Sequence, residues 1–393
     1  MRIGIDATTW WNQRGFGRFT RQLVGAILDL PRPHQFVLFV DRQPAEDMSR
    51  DNASAVVVGA LRTVTDAAVA DSSRSVRDVL AFRRAARSQK LDAFYFPAVY
   101  SWFPIGRGVA SVVTFHDAIA EHFPDLVMPR LQNRLLWKAK VQLAKRSATA
   151  ITTVSHAARR ELTTYLRIPE DEIHVIHEAA DAAFQPVVDR AKLLTIRRKL
   201  EIPTDRLFLL YVGGLAPHKN LVGITKAYAR AREAGKLVNV DLVLAGDPQG
   251  GGFHSNADEL MALATRDPSL RGRVHFPGFV ADEDLPGLYS DALGVLMPAY
   301  SEGFGLPAAE AVACGTPVLA TEGGSVAEFV GDAGLYFDPH SVEDMTRVLI
   351  DYVENEQLQS QLRANCARRA AALSWDRAAA ETLDVIEAAA GRI

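Results

Sequence analysis

With 393 residues, 48% of them hydrophobic and 23% charged, the chain has material for two or three globular domains. That balance excludes collagen-like, disulfide-scaffold and disordered classes. No apolar run approaches the ~20 residues that span a bilayer, and the opening Met-Arg-Ile-Gly-Ile-Asp passes straight into a strand-like pattern, so neither a membrane span nor a signal peptide is expected. The net charge of −3 hides an asymmetry: residues 1–177 carry 24 Lys and Arg against 17 Asp and Glu, whereas residues 178–393 carry 20 against 30. A basic half suits an anionic lipid or an acidic acceptor, and the blander reading is chance variation of surface charge between domains. Cys314 and Cys366, without CxxC spacing, fit a reducing cytoplasm and argue against a structural zinc site.

Short apolar runs alternate with amphipathic stretches throughout, which is the signature of βαβ units and parallel sheets. Strands are expected near 2–7, 36–41, 55–60, 93–96, 111–115, 150–153 and 173–176, then near 207–212, 241–245, 274–276, 292–297, 317–320 and 334–337. Helices are expected between them, for example over 220–234, 307–314 and 341–354. The pattern restarts after a polar stretch holding Pro186 and Pro203. This reads as an α/β chain of two facing, doubly wound, Rossmann-like domains, 1–185 and 200–373. A terminal helix within 374–393 is expected to cross back and complete the first domain. Ligands of such sheets bind beyond the carboxyl ends of the strands, so chemistry belongs in the segments that follow strands.

Four such segments stand out. Gly15-Phe16-Gly17-Arg18-Phe19 follows the first strand and opens a helix, with Thr20 where a dinucleotide fingerprint would close on glycine. Thr114-Phe115-His116-Asp117 ends a buried strand, where His116 is placed to donate to a ligand hydroxyl; a satisfied structural histidine is the plainer alternative. Gly213-Gly214-Leu215-Ala216-Pro217-His218-Lys219-Asn220 joins a strand to a helix start, with Asn220 as N-cap and the Lys219 ammonium suited to a phosphate. The most specific segment is Glu302-Gly303-Phe304-Gly305-Leu306-Pro307 through Glu310. Its glycines permit close backbone approach, and Pro307 suits the first position of a helix whose positive end favours a diphosphate. Glu310, one turn in, has two carboxylate oxygens suited to vicinal ribose hydroxyls, although an acid in a first turn also favours the helix dipole. Glu302, ahead of that helix, faces whatever the phosphate carries. Phe276-Pro277-Gly278-Phe279-Val280 follows another strand, where its backbone suits the edge of a nucleobase. Asp282-Glu283-Asp284 reads as a capped helix start, and His116-Asp117 lacks a second histidine at ligand spacing, so no metal is expected.

One further feature begins just after Pro129. Arg130, Arg134 and Lys138 recur every four residues beside a stripe of Leu131, Leu135, Ala139 and Leu143, with Trp137 nearby and Lys145-Arg146 following. No acidic residue occurs between Met128 and Arg160. The expected arrangement for 130–146 is a core-facing stripe with a solvated basic face; the alternative is a helix lying on an anionic membrane surface.

These motifs together resemble the retaining nucleotide-sugar glycosyltransferases of family 4, which have the GT-B fold. The resemblance runs over nearly the whole chain. It is carried by Gly15–Phe19, Phe115-His116-Asp117, Thr153-Val154-Ser155, Val212 through Asn220, Phe276–Val280, the Glu302-to-Glu310 spacing, which matches the family's Glu-x7-Glu motif, and the Ser374-Trp375 start of the last helix. It implies that Glu310 holds the ribose and that Glu302 and His116 face the donor sugar. Lys219 and the amides of Gly303, Phe304, Gly305 and Leu306 would hold the diphosphate, and Val280 would lie beside the base. Gly15 and Gly17 would shape the acceptor side of the phosphate site. Many members carry an Arg directly after the first glycine of the second motif; here that position is Gly214, as in some mannosyltransferase-like members, which leans towards GDP-mannose. The implied partners are a nucleotide-sugar donor and a glycan, lipid-linked or small-molecule acceptor, with neither metal nor nucleic acid, in the cytoplasm or peripherally on the inner face of its membrane. Two other classes stay open: another GT-B enzyme (a phosphorylase or nucleotide-sugar epimerase), and a catalytically silent sugar-nucleotide-binding protein.

Overall fold

The structure, a computed structural model, describes residues 1–12, 15–59, 75–128, 130–247 and 255–392. Residue 60 of the third expected strand, Pro129 and the final residue lie outside them. The chain forms two units, Met1–Glu178 with Ser374–Ile393, and Ala179–Leu373.

The first unit is built on β1 (Arg2–Asp6), β2 (Gln35–Val40), β3 (Ala53–Val57), β4 (Ala93–Phe96), β5 (Ala110–Thr114), β6 (Ala150–Thr153) and β7 (Ile173–Val175). They pair in the order β3-β2-β1-β4-β5-β6-β7, every pair parallel. β4 and β5 are buried at every position, as strands covered by helices on both faces must be. Phe94, Phe96 and Phe103 meet at ring separations of 4.7 to 5.4 Å, with Phe82 against Phe103. The terminal helix Trp375–Ala390 packs on the helix Gly15–Asp29, burying Ala379, Leu383 and Ile386. Glu387 ties it to His34 at 2.7 Å and Arg32 at 2.9 Å.

The second unit holds β8 (Leu207–Val212), β9 (Val240–Ala245), β10 (Val274–Gly278), β11 (Gly294–Met297), β12 (Val318–Thr321) and β13 (Gly334–Phe337), in the all-parallel order β10-β9-β8-β11-β12-β13. Each sheet reverses its strand order once, between β1 and β4 and between β8 and β11. The split falls after Glu178 rather than at 185, because the intervening residues pack on the second sheet's helices. Phe184 lies 6.0 Å from Tyr289, and the Val187 N–H donates to Ser290 Oγ at 2.9 Å. Arg197 is buried, pairs with Asp291, donates to the carbonyls of Pro203 and Arg206, and stacks 4.7 Å over Phe208. The stretch expected to separate the domains is therefore part of the second one.

The helix Leu131–Ser147 departs from expectation. Only Val141 and Ala144 are buried on it, and Leu131, Leu135, Leu136 and Leu143 are exposed. The stripe expected to face the core faces outward. The reason is that aromatic and polar ties, rather than apolar burial, hold the other side. Trp137 stacks on Tyr100 at 4.8 Å and donates its Nε1–H to Glu121 at 2.7 Å. Lys140 donates to the Tyr100 carbonyl, Arg134 reaches Asp125 at 2.6 Å, and Lys145 donates to the Leu166 carbonyl at 2.8 Å.

Burial pushes the Glu121 carboxyl up to about 7, against the donation from Trp137, with the Asp117 charge adding to the rise. A carboxyl raised in the folded state stabilises the fold below its unfolded value near 4.5, and that contribution is lost as pH rises through about 7. Glu121→Gln removes the titration and retains the acceptor. It should therefore gain stability relative to wild type between pH 5 and pH 8, by on the order of 1–3 kcal/mol. Paired thermal melts across that range test this, and parallel curves would refute it.

Candidate functional site

The two loops after β8 and β11 flank the strand-order reversal of the second sheet, where parallel α/β folds bind their ligands. After β8, the Gly213 carbonyl lies where a Cβ on Gly246 would come within 2.1 Å, so position 246 accepts only glycine without movement. The Tyr211 hydroxyl donates to the Gly214 carbonyl at 2.8 Å and fixes the turn. Pro217–Lys219 form a short helical turn, and Asn220 takes a left-handed backbone (φ 54°) before the helix Leu221–Glu233. Asn220 does not cap that helix as expected; its Nδ2 donates to the Pro339 carbonyl at 2.8 Å.

After β11, the chain runs through Glu302 to Gly305, whose φ of 102° and contact with Val326 (2.7 Å from an added Cβ) both require glycine. The helix Leu306–Ala313 follows, with Pro307 at its second position. Gly305 is its cap residue and offers no side chain to the first amides, so no capping group offsets the positive end of the helix. Ser325 Oγ lies 2.9 Å from the carbonyls of both Glu302 and Phe304, and the Phe304 ring stacks on Phe329 at 4.4 Å.

The structure brings Lys219 and Glu302 together. The ammonium donates to both carboxylate oxygens, at 2.8 and 2.7 Å, and each side chain keeps some exposure. The Tyr300 N–H donates to the His218 carbonyl at 3.0 Å and joins the two loops a second time. Burial first, and the Lys219 charge second, push the His218 imidazole down to about 3, so it is neutral at physiological pH and adds no positive charge beside Lys219. Gly214 stands where many members of the family carry an Arg.

Glu310 is fully buried one turn into its helix and accepts from the Tyr289 hydroxyl at 2.9 Å. Val280 is buried just past the end of β10, the sheet's edge strand, while the neighbouring Phe279 ring is exposed. Asp284 is not a side-chain cap of the helix Leu285–Asp291, contrary to expectation; it pairs with Lys199 at 2.6 Å. Among the described residues no group of three or more His, Cys, Asp or Glu is arranged to hold a metal ion.

In the first unit, Gly17 is needed where the Asn12 carbonyl would sit 1.8 Å from a Cβ, whereas Gly15 has open space around it. Thr20 hydrogen-bonds Thr9 at 2.6 Å and the Phe16 carbonyl at 2.9 Å, which explains a threonine at the closing position of this turn. His116 is buried between the edges of Phe16 and Phe19, at 5.1 and 4.5 Å. Its Nε2 lies 2.8 Å from the Pro97 carbonyl, which can only accept, so that nitrogen carries a proton; Nδ1 lies 3.4 Å from Glu178. Both nitrogens are thus engaged within the unit. Glu178, Tyr289 and Ser325, which orient the expected residues, carried no sequence signal beyond their polarity.

Comparison with known proteins finds relatives of both units. Residues 14–184 match the model described as Glycosyltransferase Family 4, and residues 194–371 match Glycosyl transferases group 1. The chain is 28% identical over 274 residues to the O-antigen chain mannosyltransferase B of Escherichia coli, covering 70% of this chain and 69% of the relative. It is 30% identical over 290 residues to a D-inositol 3-phosphate glycosyltransferase of Nocardioides, covering 71% of this chain but only 60% of that relative. The Anabaena protein HepE, solved with UDP and glucose, superposes with a TM-score of 0.73 over 99% of this chain and 100% of its own, at 18% identity, a likeness of fold. Each unit thus matches one glycosyltransferase model, and the fold is that of the GT-B glycosyltransferases.

Proposed function

We propose that the protein is a retaining hexosyltransferase that moves a sugar from a nucleoside diphosphate donor to a hydroxyl acceptor. The observation that carries this reading is the pairing of Lys219 with Glu302 beside the uncapped N-terminus of Leu306–Ala313. The bond between sugar and diphosphate breaks towards an oxocarbenium-like state, so the protein's main task is to stabilise the departing phosphate charge. An ammonium and a helix N-terminus aimed at one place supply that without a metal. On donor binding the diphosphate takes over Lys219, and Glu302 is released to face the sugar. Glu310, oriented by Tyr289, holds the ribose, and Val280 lies beside the base. The acceptor attacks from the leaving-group face and the diphosphate takes its proton.

Mannose is the sugar to test first, because the O-antigen relative is a mannosyltransferase; UDP-sugars are the comparison, because HepE was solved with UDP. An acceptor on a growing glycan or glycolipid fits the same relative. The cytoplasm fits both cysteines, which are buried free thiols.

Lys219→Ala should lower kcat about 10²–10³-fold in a protein that still melts cooperatively. Near-normal turnover in that variant would remove the diphosphate assignment. Glu302→Gln frees Lys219 from its competing carboxylate, so nucleoside diphosphate should bind roughly three- to tenfold more tightly while turnover falls. Titration calorimetry with GDP and UDP reads the affinity, and unchanged or weaker binding would show that the ion pair does not compete with the ligand. Thermal shift with GDP-mannose, UDP-glucose and ADP-glucose ranks the donors, since the tightest ligand raises the melting point most.

A further inference from the structure

The helices Val76–Ser88 and Leu131–Ser147 share an open groove of about 460 Å3, lined by Val79, Trp102, Pro104, Leu136, Lys140 and Leu143. On the same two helices Val76, Leu80, Leu131, Leu135, Leu136 and Leu143 are between 44 and 77% exposed. Soluble surfaces seldom gather so many large aliphatic side chains in one region without a partner to cover them. The exposed charges on these two helices are of one sign. At 100° per residue, Arg146 falls within the outward arc of Leu131, Leu135 and Leu143, and Lys138 lies about 20° beyond Leu131. Arg77, Arg84 and Arg87 are exposed on the helix Val76–Ser88. Leu131–Ser147 has no acidic residue, and the single one of Val76–Ser88, Asp78, is buried.

We propose that this two-helix face seats the N-terminal unit on an anionic lipid bilayer. The exposed leucines enter the boundary between headgroups and acyl chains, the groove receives part of one chain, and the lysine and arginines meet lipid phosphates. Sequence pattern suggested only the second of these helices; the groove and the first helix extend it to a surface. Charge decides the occupant. A second copy of the chain docked by the same face would set basic groups against basic groups, whereas an anionic bilayer offers both an apolar layer and the opposite charge. The helix can present leucines outward because Trp137, Lys140 and Arg134 hold its inner side. Substitutions on the outer side therefore leave the fold intact.

Co-sedimentation of the full chain with vesicles tests this without requiring turnover, so it stands or falls separately from the donor assignment. Wild type should pellet with phosphatidylcholine vesicles containing phosphatidylglycerol, and far less with phosphatidylcholine alone. Lys138→Glu/Arg146→Glu and Leu135→Glu/Leu136→Glu should each lower partitioning roughly tenfold or more at unchanged melting temperature. Added salt should weaken wild-type binding. Wild type remaining in the supernatant, variants that bind as wild type does, or light scattering showing a wild-type dimer that the leucine variant splits would each overturn the proposal.

Discussion

The ion pair between Lys219 and Glu302 joins the two loops on which the catalytic reading depends. Neither residue is near the other in sequence, and they meet because β8 and β11 are neighbours at the point where the sheet's strand order reverses. A parallel sheet sends every strand's carboxyl end to the same edge, so both loops emerge on one side, with a gap between them that no crossover covers. An ammonium from one loop and a carboxylate from the other meet there, and a helix capped by glycine follows the carboxylate. The carboxylate neutralises the ammonium it pairs with. On the proposed reading a diphosphate displaces that glutamate from the ammonium, because it carries more charge and more acceptor oxygens.

The supporting contacts hold this arrangement through the backbone. Ser325 holds the main chain at Glu302 and Phe304, Tyr300 ties its amide to His218, and Gly305 and Gly246 permit close approaches that any side chain would block. His218 contributes by being uncharged. Its burial removes a second cation next to Lys219, which leaves the ammonium as the charged group of that turn.

All thirteen strands among the described residues were legible in the sequence, most of them because buried parallel strands leave short apolar runs; the edge strands β3 and β10 are only partly buried. The same logic located the loops at 213–220 and 302–310, since glycine spacing records where backbone must approach closely. What pattern alone could not reach was orientation and partnership. Glu310 reads as a first-turn acid whether it faces solvent or, as found, the hydroxyl of Tyr289. His116 ends its strand at the expected place, yet the rings of Phe16 and Phe19 and the carboxylate of Glu178 enclose it, and those contacts depend on three separate segments. The domain boundary shifted for a similar reason: Arg197 and Phe184 look polar-helical and isolated along the chain but find their partners a hundred residues later.

The helix Leu131–Ser147 shows the limit of periodicity most clearly. A leucine stripe beside a basic stripe says that the helix has two faces, and nothing in the spacing says which one the protein keeps. Fully burying one leucine is worth about 1.5–3 kcal/mol, so apolar burial alone would turn the stripe inward. Here the inward side is taken by Val141, Ala144 and the stacked Trp137, and three basic side chains anchor the same helix to backbone carbonyls or carboxylates of the first unit. Rotating the leucines inward would break that stack and all three ties, and would set Lys138 and Arg146 against the unit's core. The competition is therefore between several aromatic and charge-assisted contacts and four leucines. The contacts win, and the leucines remain outside, ringed by like charge.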